Sequence, residues 1–224
     1  MSYDKMKANH QNLSLRWDKK KTLNLFLLNF IALIIIFSLV YLNPYIFIRG
    51  KPGTSVFFIL YPFIIEFVTL WGIWGIISSY SGVAAGLLLI SNFKPFNALI
   101  LAFIYIVPAA ISFAIYRRFV SFLGLDPLKR DLLNSEIEGT KTKRLYAWIF
   151  FLMFEAILLN VIQVSLGLYY LNLIGFFSKS EAVFWFYVWS FSNFVSCLII
   201  EPILIKTMTE NLKEFGLVNA GWMS

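Results

Sequence analysis

Histidine and cysteine are almost missing from this sequence, which holds one of each, His10 and Cys197. A single thiol closes no intrachain disulfide, and inside an apolar run it reads as a small core residue. Zinc sites draw on several His or Cys ligands, so no metal centre is expected. One histidine also excludes the H-E-x-x-H motif. Because His10 lies in a polar tail, a Ser–His triad within the apolar segments is excluded too. No G-x-x-x-x-G-K-[ST] loop is present, so the chain is not expected to hydrolyse ATP on its own. No catalytic residue, no cofactor and no enzymatic activity are expected. Charge is scarce as well: 14% of residues are charged, against about 25% in soluble domains. No strong internal repeat or low-complexity tract stands out.

Apolar residues fill the space left. They make up 59% of the 224 residues, with a mean hydropathy of +0.75. A soluble fold of this size has no core large enough to hide them, whereas a lipid bilayer accepts them. The net charge of +7 does not point to nucleic acid. The basic residues stand in short flanks between long apolar runs, where they orient membrane spans, and do not form one basic face. The expected class is an all-α polytopic membrane helix bundle in the cell membrane.

Six spans are expected. Residues 1–22 form a basic tail and residues 23–42 the first span, about 30 Å of helix. That run exceeds the apolar core of a signal peptide and no small-residue cleavage site follows, so it reads as retained. Asn43-Pro44 is expected to break the helix before the turn-rich Arg49-Gly50-Lys51-Pro52-Gly53. Residues 54–90 are almost uninterruptedly apolar. As one helix they would be about 55 Å long, so they must fold back. The break falls at 70–75, giving two short spans, or at 78–82, giving one span and a re-entrant half-helix; the first is preferred. The fourth span is 96–116, with a kink expected at Pro108. A loop at 117–144 precedes the fifth span at 145–173; a short loop at 177–181 precedes the sixth at 182–205. The transmembrane domain is thus 23–206, followed by a tail at 207–224. In this layout 15 of the 19 Lys and Arg share one side with both termini and the 117–144 loop, which places the termini in the cytoplasm.

Three groups of residues stand out. Glu66, Glu155 and Glu201 lie in or at the ends of apolar spans. A buried carboxylate costs several kcal/mol unless paired, hydrated or protonated, so each is either a structural partner or a functional acid. Trp185, Trp189 and Asn193 are spaced i, i+4, i+8 on one face of the last span. Asn160 and Gln163 share a face of the fifth span at similar depth. Tyr105 in the fourth span, with Asn92, Lys94 and Asn97 at or just outside its start, is placed to close the same cavity. Aromatic walls with a few amides and one cation suit a flat, polar-edged small molecule. The competing reading is an interfacial aromatic belt with interhelical amide hydrogen bonds. Finally, Ser78, Gly82 and Gly86, then Ala110 and Ala114, recur at four-residue spacing, a face for close helix packing within the bundle or against a partner.

The layout resembles the substrate-binding membrane subunit (S component) of energy-coupling factor vitamin transporters. The resemblance spans roughly residues 23–210. It rests on six short spans, cytoplasmic termini and a Gly- and Ser-rich pair at 70–89. Lys94-Pro95-Phe96-Asn97-Ala98 opens the fourth span, Arg117-Arg118 follow it, and the last span ends in Ile200-Glu201-Pro202-Ile203-Leu204. It implies capture of a vitamin or similar solute in an outward-facing cavity, with partner ATPases and a transmembrane coupling subunit driving release. Many such subunits carry Ala-x-x-x-Ala on the first span; here Ala32 is flanked by Leu28 and Ile36. Other classes are a multi-span sensor or scaffold module and a membrane-embedded enzyme of lipid chemistry. In cell fractionation the chain should sediment with membranes, and tags at its two ends should label only after the inner face is exposed. Labelling of the two tags from opposite faces would break the six-span layout.

Overall fold

A computed structural model of the chain describes residues 19–46, 59–89, 93–122, 142, 145–146, 149–150, 152–204 and 207–208. The described residues are helical, with no strand among them. Helix α1 is Lys19–Ile46, α2 Leu60–Trp71, α3 Ile73–Leu89, α4 Pro95–Phe122, α5 Asn160–Leu173 and α6 Lys179–Leu204; a π-helical segment, Leu152–Leu159, runs into α5. Met153–Leu173 and Lys179–Leu204 are long and apolar enough to cross a membrane, and Phe26–Leu42, Ile73–Leu89 and Pro95–Ile111 are shorter apolar helical stretches. Helix α2 has 12 residues and rises about 18 Å, short of a bilayer core of about 30 Å.

Bulky apolar side chains cover the outside. Phe26, Phe30, Phe96, Phe103, Tyr169 and Phe191 are all exposed. The inside is apolar as well, built on Ile36, Ile64, Phe67, Trp71, Val83, Ala102 and Leu168. A bundle apolar both within and without suits hydrocarbon surroundings.

The apolar run at 54–90 breaks at Gly72, within the first of its two candidate sites. Gly72 has φ 55° and ψ −123°, a conformation essentially restricted to glycine. Residues 78–82 lie inside α3, with no interruption. Helix α3 then packs along α1. Ser78 Oγ donates to Asn29 Oδ1 at 2.6 Å; a Cβ on Gly82 would meet Leu33 and Ile36, and one on Gly86 would meet Val40. Rising numbers on one helix match rising numbers on the other, so α1 and α3 run parallel. The stripe of small residues on α3 therefore packs within the bundle. Ala32 of α1 is buried in the same core, so that face is not open to a partner.

Three expected boundaries move. Helix α1 continues through Asn43-Pro44 to Ile46; Pro44 has no N–H to give the Val40 carbonyl, yet the helical run does not stop before it. Helix α4 runs on to Phe122, so the start of the expected loop at 117–144 is helical; residues 123–141 lie outside the described residues. Helix α6 begins at Lys179, inside the expected loop at 177–181. The cause is a capping box: Ser178 N donates to Glu181 Oε2 at 2.8 Å, and Glu181 N to Ser178 Oγ at 3.3 Å. The helix α4 is continuous through Pro108. The tails at 1–18 and 209–224, with His10, and Asn92 lie outside the described residues.

Substitutions at the α1–α3 contact test it. Alanine is the better helix former by about 1 kcal/mol, yet a Cβ on Gly82 would stand 2.9 Å from the Leu33 carbonyl oxygen. Gly82→Ala and Gly86→Ala should each lower stability in detergent by about 1–3 kcal/mol, read as a drop in thermal midpoint. Gly167→Ala, where a Cβ would meet nothing within 4 Å, should not.

Candidate functional site

The polar centre of the bundle is a relay of three amides between α5 and α6. Asn160, Gln163 and Asn193 are all buried, at 1%, 2% and 2% exposure. Asn160 Nδ2 donates to the Ser190 carbonyl at 2.7 Å and to the Ala156 carbonyl at 3.2 Å. Carbonyl oxygens only accept, so these two bonds fix which end of the Asn160 amide is which. Its Oδ1 must then face Asn193, whose Nδ2 donates to it at 3.0 Å and to Gln163 Oε1 at 3.2 Å. The polarity of all three amides follows from two backbone carbonyls. It leaves Asn193 Oδ1 buried without a hydrogen bond, and Gln163 Nε2 donating to no described residue.

A cleft opens beside the relay. Tyr105 of α4, Gln163, Val164 and Gly167 of α5, and Trp189 and Asn193 of α6 line it. The unfilled space is about 270 Å³ counting its open mouth, and its narrow interior takes about one water. Gly167 is part of the reason that space exists: it is buried, yet a Cβ there would meet nothing.

An aromatic cap covers the α5–α6 end. Phe177 lies 6.1 Å from Trp185 and 6.0 Å from Trp189, ring centre to ring centre, and the two tryptophans are 5.7 Å apart. The turn carrying Phe177 is held by a Schellman motif: Phe176 N donates to the Leu171 carbonyl at 2.9 Å and Gly175 N to the Asn172 carbonyl at 3.0 Å. Gly175 takes the left-handed conformation, φ 75°, and Asn172 Nδ2 donates to the Phe177 carbonyl at 2.8 Å. Phe93 stacks on Phe176 at 5.1 Å, and Tyr170 Oη donates to Asn97 Oδ1 at 2.9 Å, tying the start of α4 to this end.

Of the residues singled out from the sequence, Tyr105, Gln163, Trp189 and Asn193 line the cleft. Asn160 stands behind them and orients them. Trp185 is part of the cap and does not line the cleft. Lys94 is exposed and is absent from its walls. The three acids lie elsewhere and are buried at 0–1% exposure: Glu66 on α2, Glu155 in the π-helical segment, Glu201 near the end of α6. Tyr61 and Cys197, both fully buried, each lie within electrostatic reach of Glu155 and Glu201. No group of three metal-ligating side chains occurs among the described residues.

Val164 and Gly167 of the cleft and Phe177 of the cap were not singled out from the sequence. On an α-helix Glu155 and Asn160, five apart, would stand about 140° apart. The π-helical segment bonds i to i+5, which brings both to the buried side. Gly167 stands at i+4 from Gln163, the one spacing that pointed to it. Among known proteins no family model, no curated protein and no solved structure matches the chain.

Removing the amide that orients the relay should be costly. Asn160→Ala should lower stability by about 1–3 kcal/mol, measured by thermal unfolding in detergent. Lys94→Ala, at an exposed position, should stay within about 0.5 kcal/mol of the parent.

Proposed function

We propose that the chain is a solute-capture subunit of a multi-subunit membrane importer, a six-span bundle with both termini in the cytoplasm. The reading rests above all on the cleft between α4, α5 and α6, where amides with unused bonding capacity stand beside Trp189 and Tyr105. Such a site, apolar and aromatic with a few oriented polar groups, suits a small molecule. Trp189 stacks on the solute, Gln163 and Asn193 bond its polar edge, and Asn160 holds their orientation. The Phe177 cap over Trp189 closes the outer end. The apolar exterior and the two helices of membrane-spanning length support a location in the bilayer. Energy for release comes from partner ATPases through a transmembrane coupling subunit, and the chain itself does no catalysis.

The test is to purify the chain from membranes and identify by mass spectrometry what it retains. A small molecule retained by the parent and lost in both Trp189→Ala and Gly167→Val is the expected result, with Gly167→Val keeping the parental thermal midpoint. ATPase subunits should co-purify under mild solubilisation. A ligand-free chain that instead holds other membrane proteins together would replace this reading with a scaffold.

A further inference from the structure

The orientation of the amide relay narrows the kind of solute the cleft accepts, an inference that rests on the solute-capture reading. Asn193 lines the cleft, is 2% exposed, and its Oδ1 is a buried acceptor with no hydrogen bond. Gln163 lines the same cleft, with its Oε1 committed to Asn193 and its Nε2 donating to no described residue. The unused groups are therefore one acceptor and one donor, on side chains bonded to each other. Neither amide can flip to change this. A flipped Asn193 would set its oxygen against Asn160 Oδ1, and a flipped Asn160 would set its oxygen against the carbonyls of Ala156 and Ser190. None of the residues lining the cleft carries a charge, and an ion buried without a partner costs several kcal/mol.

We infer that the cleft recognises an uncharged, flat molecule through an amide-type edge, a donor beside an acceptor. The solute's N–H is received by Asn193 Oδ1 and its C=O by Gln163 Nε2. Trp189 supplies the face on which the ring rests. A carboxylate of the same shape is rejected, because it has no proton to give Asn193 and brings an unpaired charge.

The experiment uses the full chain in lipid nanodiscs and isothermal titration calorimetry with two matched pairs. Benzamide and benzoate differ in the amide edge, and 2-pyridone and N-methyl-2-pyridone differ in the donor alone. Benzamide should bind at least about tenfold more tightly than benzoate, and 2-pyridone at least about tenfold more tightly than its N-methyl form. Gly167→Val, which puts a side chain into the cleft where a Cβ meets nothing within 4 Å, should abolish binding. Asn193→Leu should remove the preference within each pair. Benzoate binding as tightly as benzamide, still blocked by Gly167→Val, would overturn the amide-edge inference and leave solute capture standing. Binding unaffected by Gly167→Val would place the solute outside the cleft and overturn the inference. No binding of any of the four compounds would mark the cleft as a water site only, and would overturn both.

Discussion

A polar group shut in among apolar side chains must find its partner there, and this constraint shapes the bundle. A packed apolar core offers no hydrogen bonds beyond those built into it, so helical backbone is the structure that satisfies itself. Where the helices stop, local bonds take over. The Schellman motif at Gly175 and the capping box of Ser178 and Glu181 engage the backbone groups that α5 and α6 leave over. Some polar side chains that enter the interior tie two helices together. Ser78 on α3 reaches Asn29 on α1, and Asn160 reaches the α6 backbone. Helix pairs with little apolar surface left to distinguish one register from another are thus set by a few polar bonds and by the small residues Gly82 and Gly86.

The same constraint gives the cleft its character. Asn160 meets its own needs at the backbone, and each step of the relay passes the mismatch on. The mismatch ends at Asn193 Oδ1 and Gln163 Nε2, beside the space left by Gly167. An unsatisfied buried acceptor costs about 1–3 kcal/mol, and among the described residues Asn193 Oδ1 is the one of the buried unpaired side-chain atoms whose residue lines the cleft. The acids differ in kind. Glu155 and Glu201 sit with Tyr61 and Cys197 and away from the walls of the cleft.

Regular helix was legible in the sequence, and irregular backbone was not. Trp189 and Asn193 lie on one turn-to-turn face because α6 holds its period, and Gln163 was found opposite them for the same reason. The break in the long apolar run was legible because Gly72 sits where no side chain is tolerated. The π-helical stretch at Leu152–Leu159 leaves no mark on a 3.6-residue pattern and was not foreseen. Gly167 was missed because an empty space has no residue to advertise it. Lys94 was drawn toward the cavity by its charge and its place at the head of α4, but an exposed cation stays in water when no buried anion calls it in. The helix starts moved by a few residues where side chains bond the backbone, as at Ser178, a contest that composition alone does not display.

On the solute-capture proposal, the bonding pattern also constrains how a solute would get in. The interior of the cleft takes about one water, so the proposed solute would need a wall to move. The α5–α6 turn is braced by backbone bonds and by Asn172 on the Phe177 carbonyl, and α5 and α6 are joined deeper down by the relay. Together they make one stiff hairpin that carries its own aromatic cap. The third wall, Tyr105, belongs to α4, and the links from that side to the hairpin include one hydrogen bond, Tyr170 to Asn97, and one ring stack, Phe93 on Phe176. Were the cleft to open between α4 and the hairpin, the relay would stay intact, and Asn193 and Gln163 would meet the proposed solute already oriented, their ordering set before it arrives.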